Sequence, residues 1–139
     1  MAYSTQSDIE AVFGTTNVAL WSNTENTSIT DGVPTANTSR IIDAITYADA
    51  VINDRFRGGR YTVPFSSTPT VVKNWSATLA GIWLYRSRGF AAGRDTEETN
   101  RYAALEGNAL REMDLYLANS RRLDLAESST RPTAPVVVM

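Results

Sequence analysis

Apolar residues recur at the three- and four-residue spacing of amphipathic helices over much of this chain, most regularly in its middle. The clearest stripe begins after Asn37 or Thr38, each of which can cap a helix, and stops at Gly58-Gly59. Its members are Ile41, Ile45, Ala48, Ile52 and Phe56. This spacing predicts a long helix with one face in the core.

A second long helix is predicted after Thr68-Pro69, where proline can occupy the first helical position, and it runs to about Arg88. Its middle, which contains Trp75, Leu79 and Trp83, is apolar on nearly every face. A helix of that kind is typically the central, most buried one. We therefore expect Trp83→Ala to be the most damaging change, at about 3 to 5 kcal/mol.

The last long helix is predicted to start at Asp95 or Thr96. Glu97 and Glu98 would then lie in its first turn, where negative charge complements the helix dipole. Its apolar stripe comprises Tyr102, Leu105, Ala109, Met113 and Tyr116. This stripe gives the predicted core a third helical face.

Two short helices are predicted at the N-terminal end. Thr5 and Asp8 have the spacing of a capping box, and Gly14 ends the helix that they start. A second short turn from Thr16 is expected to bring three apolar side chains to the core. They are Val18, Leu20 and Trp21.

Two segments have the composition of exposed chain. Residues 22–36 are rich in Asn, Thr, Ser, Gly and Pro, and residues 126–139 have the composition of a tail. The predicted fold class is all-α, a compact bundle of three long helices plus one or two short N-terminal helices, with an extended polar loop. Residues 1–125 form the predicted helical domain, and residues 126–139 form an extended C-terminal tail. The predicted core comprises Ile45, Ile52, Phe56, Trp75, Leu79, Trp83, Tyr102, Leu105 and Met113.

Composition narrows the chemistry that the chain can perform. Its 139 residues include neither cysteine nor histidine, which excludes thiolate nucleophiles, Ser-His-Asp catalysis and the commonest ligands of transition metals. Asp43, Asp49 and Asp54 match no calcium-loop spacing and are expected on a solvated face. We therefore predict no catalytic, cofactor-binding or metal site, and expect the protein to act by binding other subunits.

The charge balance bears on possible partners. A formal charge of −2 and a pI near 5.1 argue against a dedicated nucleic-acid binder. Arginine supplies nearly all the positive charge, and its planar guanidinium suits paired contacts at interfaces. Surface charges that stabilise helix C-termini explain the same pattern. The candidate interface arginines are Arg55, Arg57, Arg60, Arg121 and Arg122.

The end of the tail is unusual because three β-branched residues follow a polar segment with no local core to bury them. Such a segment suits strand addition to the sheet edge of another subunit. A frayed terminus accounts for it equally well. The candidate interface residues of the tail are Arg131, Val136, Val137, Val138 and Met139.

Neither a secretory signal nor a membrane-spanning segment is predicted. The first residues lack the basic and apolar regions of a signal peptide. The longest apolar stretch, near residues 77–85, is far shorter than the roughly 20 residues that a membrane helix needs. The protein is expected to stay in the cytoplasm unless an assembly carries it out.

Several short motifs follow one another along the chain in an order that is similar to that of a known family. The motifs begin with YSTQSDIEAVFG at residues 3–14 and continue with RIIDAI at residues 40–45 and ADAVIN at residues 48–53. They then include Gly59-Arg60-Tyr61, Val63-Pro64, RYAAL at residues 101–105 and Leu123-Asp124-Leu125. This order resembles the Gp36-like family of Mu-type phages, which are small head-to-tail connector proteins. The resemblance covers residues 3–125 and rests on the order of the motifs.

This resemblance implies a structural virion protein rather than an enzyme. Connector (adaptor) subunits form a homo-oligomeric ring on the portal protein, in the neck of a tailed phage assembled in the host cytoplasm. A tail-side neck or terminator protein lies below the ring, and DNA passes through the channel without sequence-specific binding. No cofactor or membrane is implied. The arginines above are then candidates for the channel, and the tail is a candidate for contact with the portal or a neighbouring subunit.

Two other functions stay open at this point. One is a tail-completion or stopper protein of the neck, which differs only in the neighbour that it touches. The other is a small helical regulator that binds nucleic acid through its arginine clusters. Its affinity would fall steeply with salt, because phosphate contacts release counterions.

Overall fold

Helices make up most of the chain in a computed structural model, which describes residues 2–23, 29–30, 33–87, 97–118, 121–123 and 125. The helices of this part of the chain are α1 (Gln6–Phe13), α2 (Thr15–Ser22), α3 (Thr38–Phe56), α4 (Thr70–Ser87) and α5 (Glu97–Leu117). The prediction of an all-α fold with three long helices plus one or two short N-terminal helices is confirmed. The predicted tail, residues 126–139, lies outside the described residues, as do both candidate caps of α5.

The predicted helix ends are set by local hydrogen bonds. The Asp8 backbone N–H donates to Thr5 Oγ1 (3.3 Å), and the Thr5 N–H donates to the Asp8 carboxylate (2.8 Å), which completes the capping box of α1. Gly14 ends that helix with a φ of 95°, a conformation that favours glycine. Asn37 caps α3 by accepting a hydrogen bond from the Arg40 N–H (3.2 Å).

Helix α4 is the central element, as predicted. It packs against α3 along most of its length, and also contacts α1, α2 and α5. Trp75, near its start, is 2% exposed and lies between Phe56 of α3 and Tyr116 of α5, with ring centroids 5.9 and 5.3 Å away. The hydrophobic core is therefore built around α4, with α3 and α5 each packed against it.

Trp83 does not occupy the position that the sequence predicted for it. The other predicted core residues are buried, but Trp83 and Leu105 are only partly buried at the edge of the core. A helix that is apolar on every side carries no polar face to fix its rotation, so its pattern could not distinguish Trp83 from Trp75. The prediction that Trp83 lies in the buried core is therefore wrong, and we now expect Trp75→Ala rather than Trp83→Ala to be the more damaging change.

Helix α2 also buries a different face from the one that was predicted. Val18 and Trp21 are buried as expected, but Leu20 is 37% exposed and Ala19 takes the inward position beside Val18. The helix begins at Thr15, and its weakly patterned sequence allowed the wrong rotation.

The polar segment after α2 is more ordered at its ends than its composition suggested. Ser22 and Asn23 are buried, and Ser22 Oγ accepts a hydrogen bond from the Asn37 N–H (3.0 Å). Between them, β1 (Ile29–Thr30) and β2 (Val33–Pro34) pair as a short antiparallel hairpin. Residues 24–28 and 31–32 of the predicted loop lie outside the described part of the chain.

The connection between α3 and α4 contributes to the core, which the sequence did not predict. Tyr61 and Phe65 are both buried, and the Val63–Pro64 peptide bond is cis. The Tyr61 hydroxyl accepts a hydrogen bond from the Leu123 N–H (2.7 Å), and Leu123 is itself buried. This contact fixes the chain beyond α5 against the end of α3.

Candidate interaction surfaces

The N-terminal segment is attached to α3 and α4 by buried and partly buried hydrogen bonds. The Tyr3 N–H donates to Asp49 Oδ2 (3.0 Å), and Ser76 Oγ donates to Asp49 Oδ1 (2.6 Å). Because the Ser76 hydrogen goes to Asp49, Ser4 Oγ must donate to Ser76 Oγ, at 2.7 Å. Asp49 thus joins three separate segments of the chain.

The Tyr3 hydroxyl makes a second connection on the same side of α3. It accepts a hydrogen bond from the Phe65 N–H (2.8 Å) and donates to Asn53 Oδ1 (2.6 Å). The Phe65 N–H occupies the acceptor side of the hydroxyl, and the hydroxyl hydrogen is directed at Asn53. This direction identifies the Asn53 atom beside Tyr3 as the oxygen and places its NH₂ group on the other side of the amide.

Asp49 is the one of the three α3 aspartates that does not fit the predicted solvated face. Asp43 and Asp54 are exposed, whereas Asp49 is partly buried. Burial raises the pKa of Asp49, and the hydrogen bonds from Ser76 and from the Tyr3 backbone partly oppose that rise. A signal was present in the sequence, because Asp49 lies four residues after Ile45, at the edge of the buried stripe.

We expect the raised pKa of Asp49 to be detectable in the pH dependence of the free energy of unfolding. A folded-state pKa above the ordinary 3.8 means that the contribution of Asp49 to stability is fully present below that value and is lost as pH rises through the raised pKa. Relative to Asp49→Asn, the wild-type free energy of unfolding should therefore fall with pH, by at most about 1.4 kcal/mol per pH unit.

Urea denaturation of both proteins between pH 3 and pH 8, roughly the range in which carboxyls titrate, would measure this difference. Asp43→Asn, an exposed position on the same helix, is the control and should follow the wild type. A wild-type stability that rises with pH relative to Asp49→Asn would contradict the burial of this group.

A groove of about 410 Å³ lies beside these hydrogen bonds, between α3 and the start of the chain. Its lining is mostly apolar, and Ile42 in its wall is 57% exposed. The groove is lined by Ala2, Ile42, Ile45, Thr46, Asp49, Ala50 and Asn53. A smaller cavity of about 230 Å³ lies at the end of α3, beside Tyr61 and Tyr116.

An aromatic patch lies on the outer side of the contact between α3 and α4. Tyr47, 47% exposed, stacks on Trp83 with ring centroids 6.2 Å apart. The Arg40 guanidinium lies 4.5 Å from the centroid of a Trp83 ring, in cation–π geometry. Tryptophan, tyrosine and arginine are the residues that most often dominate binding at protein interfaces.

Further large apolar side chains are exposed on other helices. Val12 and Leu20 lie on α1 and α2, and Leu115 and Leu117 lie near the end of α5. Their exposed fractions range from 37% to 43%. These residues lie on helices other than α3 and α4, which carry the aromatic patch.

Arg55, Arg57 and Arg121, which are among the candidate arginines, are ion-paired within the described part of the chain. Arg55 pairs with Asp114, Arg57 pairs with Asp54 (2.7 Å), and Arg121 lies 3.5 Å from Glu112. Arg55 and Arg121 therefore both meet carboxylates in the last turns of α5. Arg60 is partly buried and lines the smaller cavity, and Arg122 is exposed.

The described part of the chain contains no cluster of three or more acidic side chains that could hold a metal ion. None of its helices is both long and apolar enough to cross a membrane. The candidate residues of the tail, from Arg131 to Met139, lie outside the described residues.

Comparison with known proteins gives one assignment. A family model described as Bacteriophage Mu, Gp36 matches residues 3–138. No curated protein matches the chain. The family match spans nearly the whole chain, including both the helical body and the tail.

Proposed function

We propose, because this chain belongs to the bacteriophage Mu Gp36 family, that it is the structural subunit that joins the head of the phage to the tail. Several copies would form a ring on the portal protein, with a tail-side neck or terminator protein below. DNA would pass through the ring without sequence-specific binding. The family match over residues 3–138 is the observation that carries this proposal.

The exposed apolar residues support a subunit with more than one partner. A closed ring needs two different contact surfaces on each copy, because its interfaces are head-to-tail. Tyr47 and Trp83 offer one such surface, with the Arg40 guanidinium beside them. Leu115 and Leu117 of α5 offer another, since α5 packs mainly on α4.

The arginine pairs also favour a protein partner over nucleic acid. Exposed ion pairs contribute only about 0 to 1 kcal/mol each, so Arg57 and Arg121 can exchange their carboxylates for those of a neighbour at little cost. The same carboxylates reduce the positive potential that a nucleic-acid regulator would need. These arginines are therefore better suited to contacts between subunits of the ring than to sequence-independent DNA binding.

The tail has a specific role in this proposal. Val136, Val137 and Val138 would add a strand to a sheet edge on the portal or a neighbouring copy. Deleting residues 131–139 is expected to leave the helical fold intact but abolish assembly on the portal. Native mass spectrometry measures assembly, and circular dichroism checks folding. Full assembly by the truncated chain would contradict this role.

The connector role itself is tested by co-expressing the chain with the portal protein encoded near it. Native mass spectrometry should then find a complex that carries a ring of copies on the portal. A persistent monomer that does not bind the portal would contradict the proposal. Binding to a lower neck protein would then support a tail-completion or stopper role, and salt-sensitive DNA binding would support the regulator.

A further inference from the structure

The groove between α3 and the start of the chain has the character of a peptide-binding site. It is concave and mostly apolar, with Ile42 and Ala50 on its rim and the buried Ile45 beneath them. Sites of this kind combine an apolar lining with a few fixed polar groups that orient the occupant.

Asn53 supplies such a polar group. Its Oδ1 accepts the hydrogen bond from the Tyr3 hydroxyl, so its NH₂ group is the part that remains to donate to an occupant of the groove. If the amide reversed, the Tyr3 hydroxyl would accept from both Asn53 and the Phe65 N–H, and its own hydrogen would lose the Asn53 acceptor. The groove thus presents a fixed donor, which is complementary to a backbone carbonyl.

We propose that this groove binds the apolar segment formed by Val136, Val137 and Val138 of the same chain. Three β-branched residues favour an extended backbone, in which alternate side chains point to opposite sides. One side would cover Ile42 and Ile45, and a carbonyl between them would accept from the Asn53 amide. The exposed Ile42 would then be covered by the chain's own apolar residues.

The path of the chain makes binding within one molecule possible. The Leu123 N–H is bonded to Tyr61, and the Tyr61 ring lies 6.4 Å from Phe65. Phe65 in turn stacks 5.4 Å from Tyr3, whose hydroxyl reaches Asn53 at the end of the groove. The 11 residues from Leu125 to Val136 can span about 36 Å when extended. That length exceeds the distance from Leu123 to Asn53 along these successive contacts.

The binding itself does not depend on the connector role, but its consequence does. If the tail binds a portal or a neighbour during assembly, the groove would hold the same apolar residues on their own subunit beforehand. A partner would then have to displace them, and the exposed groove would become a new surface once the tail left. Binding in the groove would also keep the valines from pairing with other chains in solution.

Paramagnetic relaxation measures this contact directly in the full-length chain. The protein contains no cysteine, so Met139→Cys provides a single site for a spin label. The resonances of Ile42, Ile45 and Ala50 should lose most of their intensity in the oxidised sample and recover it on reduction. Ile42→Lys should restore the signals of Ile45 and Ala50, whereas Val12→Lys, at another exposed apolar position, on α1, should not.

A mixed sample identifies which molecule supplies the segment. Isotope-labelled chains without spin label are mixed with spin-labelled chains that carry no isotope, so that only contact between molecules attenuates the signals. Unchanged intensities in this mixture are expected. Attenuation only in the mixture would mean that the groove binds a second copy, and no attenuation in either sample would mean that it does not bind the tail; either result overturns the proposal. Portal binding is scored separately, so failure of the connector role would not alter these outcomes.

Discussion

Replacing Trp75 with alanine should lower the free energy of unfolding by about 3 to 5 kcal/mol, because the indole is almost fully buried and the space that it fills cannot close. The ring packs between Phe56 and Tyr116, and so connects α4 to the helices on both sides. Its Nε1–H also donates to Glu112 Oε1 (2.8 Å), a bond that alanine cannot make.

Trp83→Ala is the matched comparison, since it removes the same side chain from the same helix. Trp83 is only partly buried, so the expected loss is roughly 1 to 2 kcal/mol, from partial burial and the cation–π contact with Arg40. Urea denaturation followed by far-ultraviolet circular dichroism measures both variants. An equal or larger loss for Trp83→Ala would mean that α4 is rotated about its axis relative to the structure.

The contrast between α3 and α4 shows what helical periodicity can predict. The stripe that contains Ile45 and Ile52 has polar residues on the other side of α3, so the sequence predicted both the helix and its buried face. Around Trp75 and Trp83 the sequence is apolar on every side, so it predicted the helix and its central place but not its rotation. The rotation depends on which neighbours pack against it.

The hydrogen bonds around Asp49 could not be predicted in the same way. Tyr3 and Asp49 are 46 positions apart in the sequence, and Ser76 is another 27 positions from Asp49. Nothing local to any of these residues specifies the others, because the contact depends on the path of the first residues across α3 and α4. Residue type alone placed all three aspartates of α3 in solvent, and the fold made Asp49 the exception.

The candidate arginines show a similar limit. Clusters near helix ends could be read directly from the sequence, and the dipole argument gave them a plausible position. The carboxylates that pair with these arginines could not be predicted from the sequence, because Arg55 of α3 pairs with Asp114 of α5 only once both helices have packed on α4. The sequence therefore identified the charges, and the structure decides how strongly they are available to a partner.

Gly81→Ala is expected to destabilise the protein by about 1 to 3 kcal/mol, although alanine is normally the better helix former. A Cβ at position 81 would overlap with the Phe13 ring, which packs directly against the α4 backbone. The ring cannot move away easily, because Trp21 and Tyr102 contact it edge-on, at centroid distances of 5.5 and 5.3 Å. Close approach of α1 to α4 therefore requires glycine here.

Gly107→Ala separates this steric effect from helix propensity. Gly107 lies within α5, and a Cβ there would meet only the end of the Arg111 side chain, at 3.8 Å. That variant should gain about 0.5 to 1 kcal/mol, because it removes the conformational freedom of glycine in the unfolded chain. In a double-mutant cycle, the cost of Gly81→Ala should largely disappear when Phe13 is also alanine. If Gly81→Ala destabilised the protein equally in the Phe13→Ala background, the packing of the Phe13 ring on α4 would not be the cause of that destabilisation.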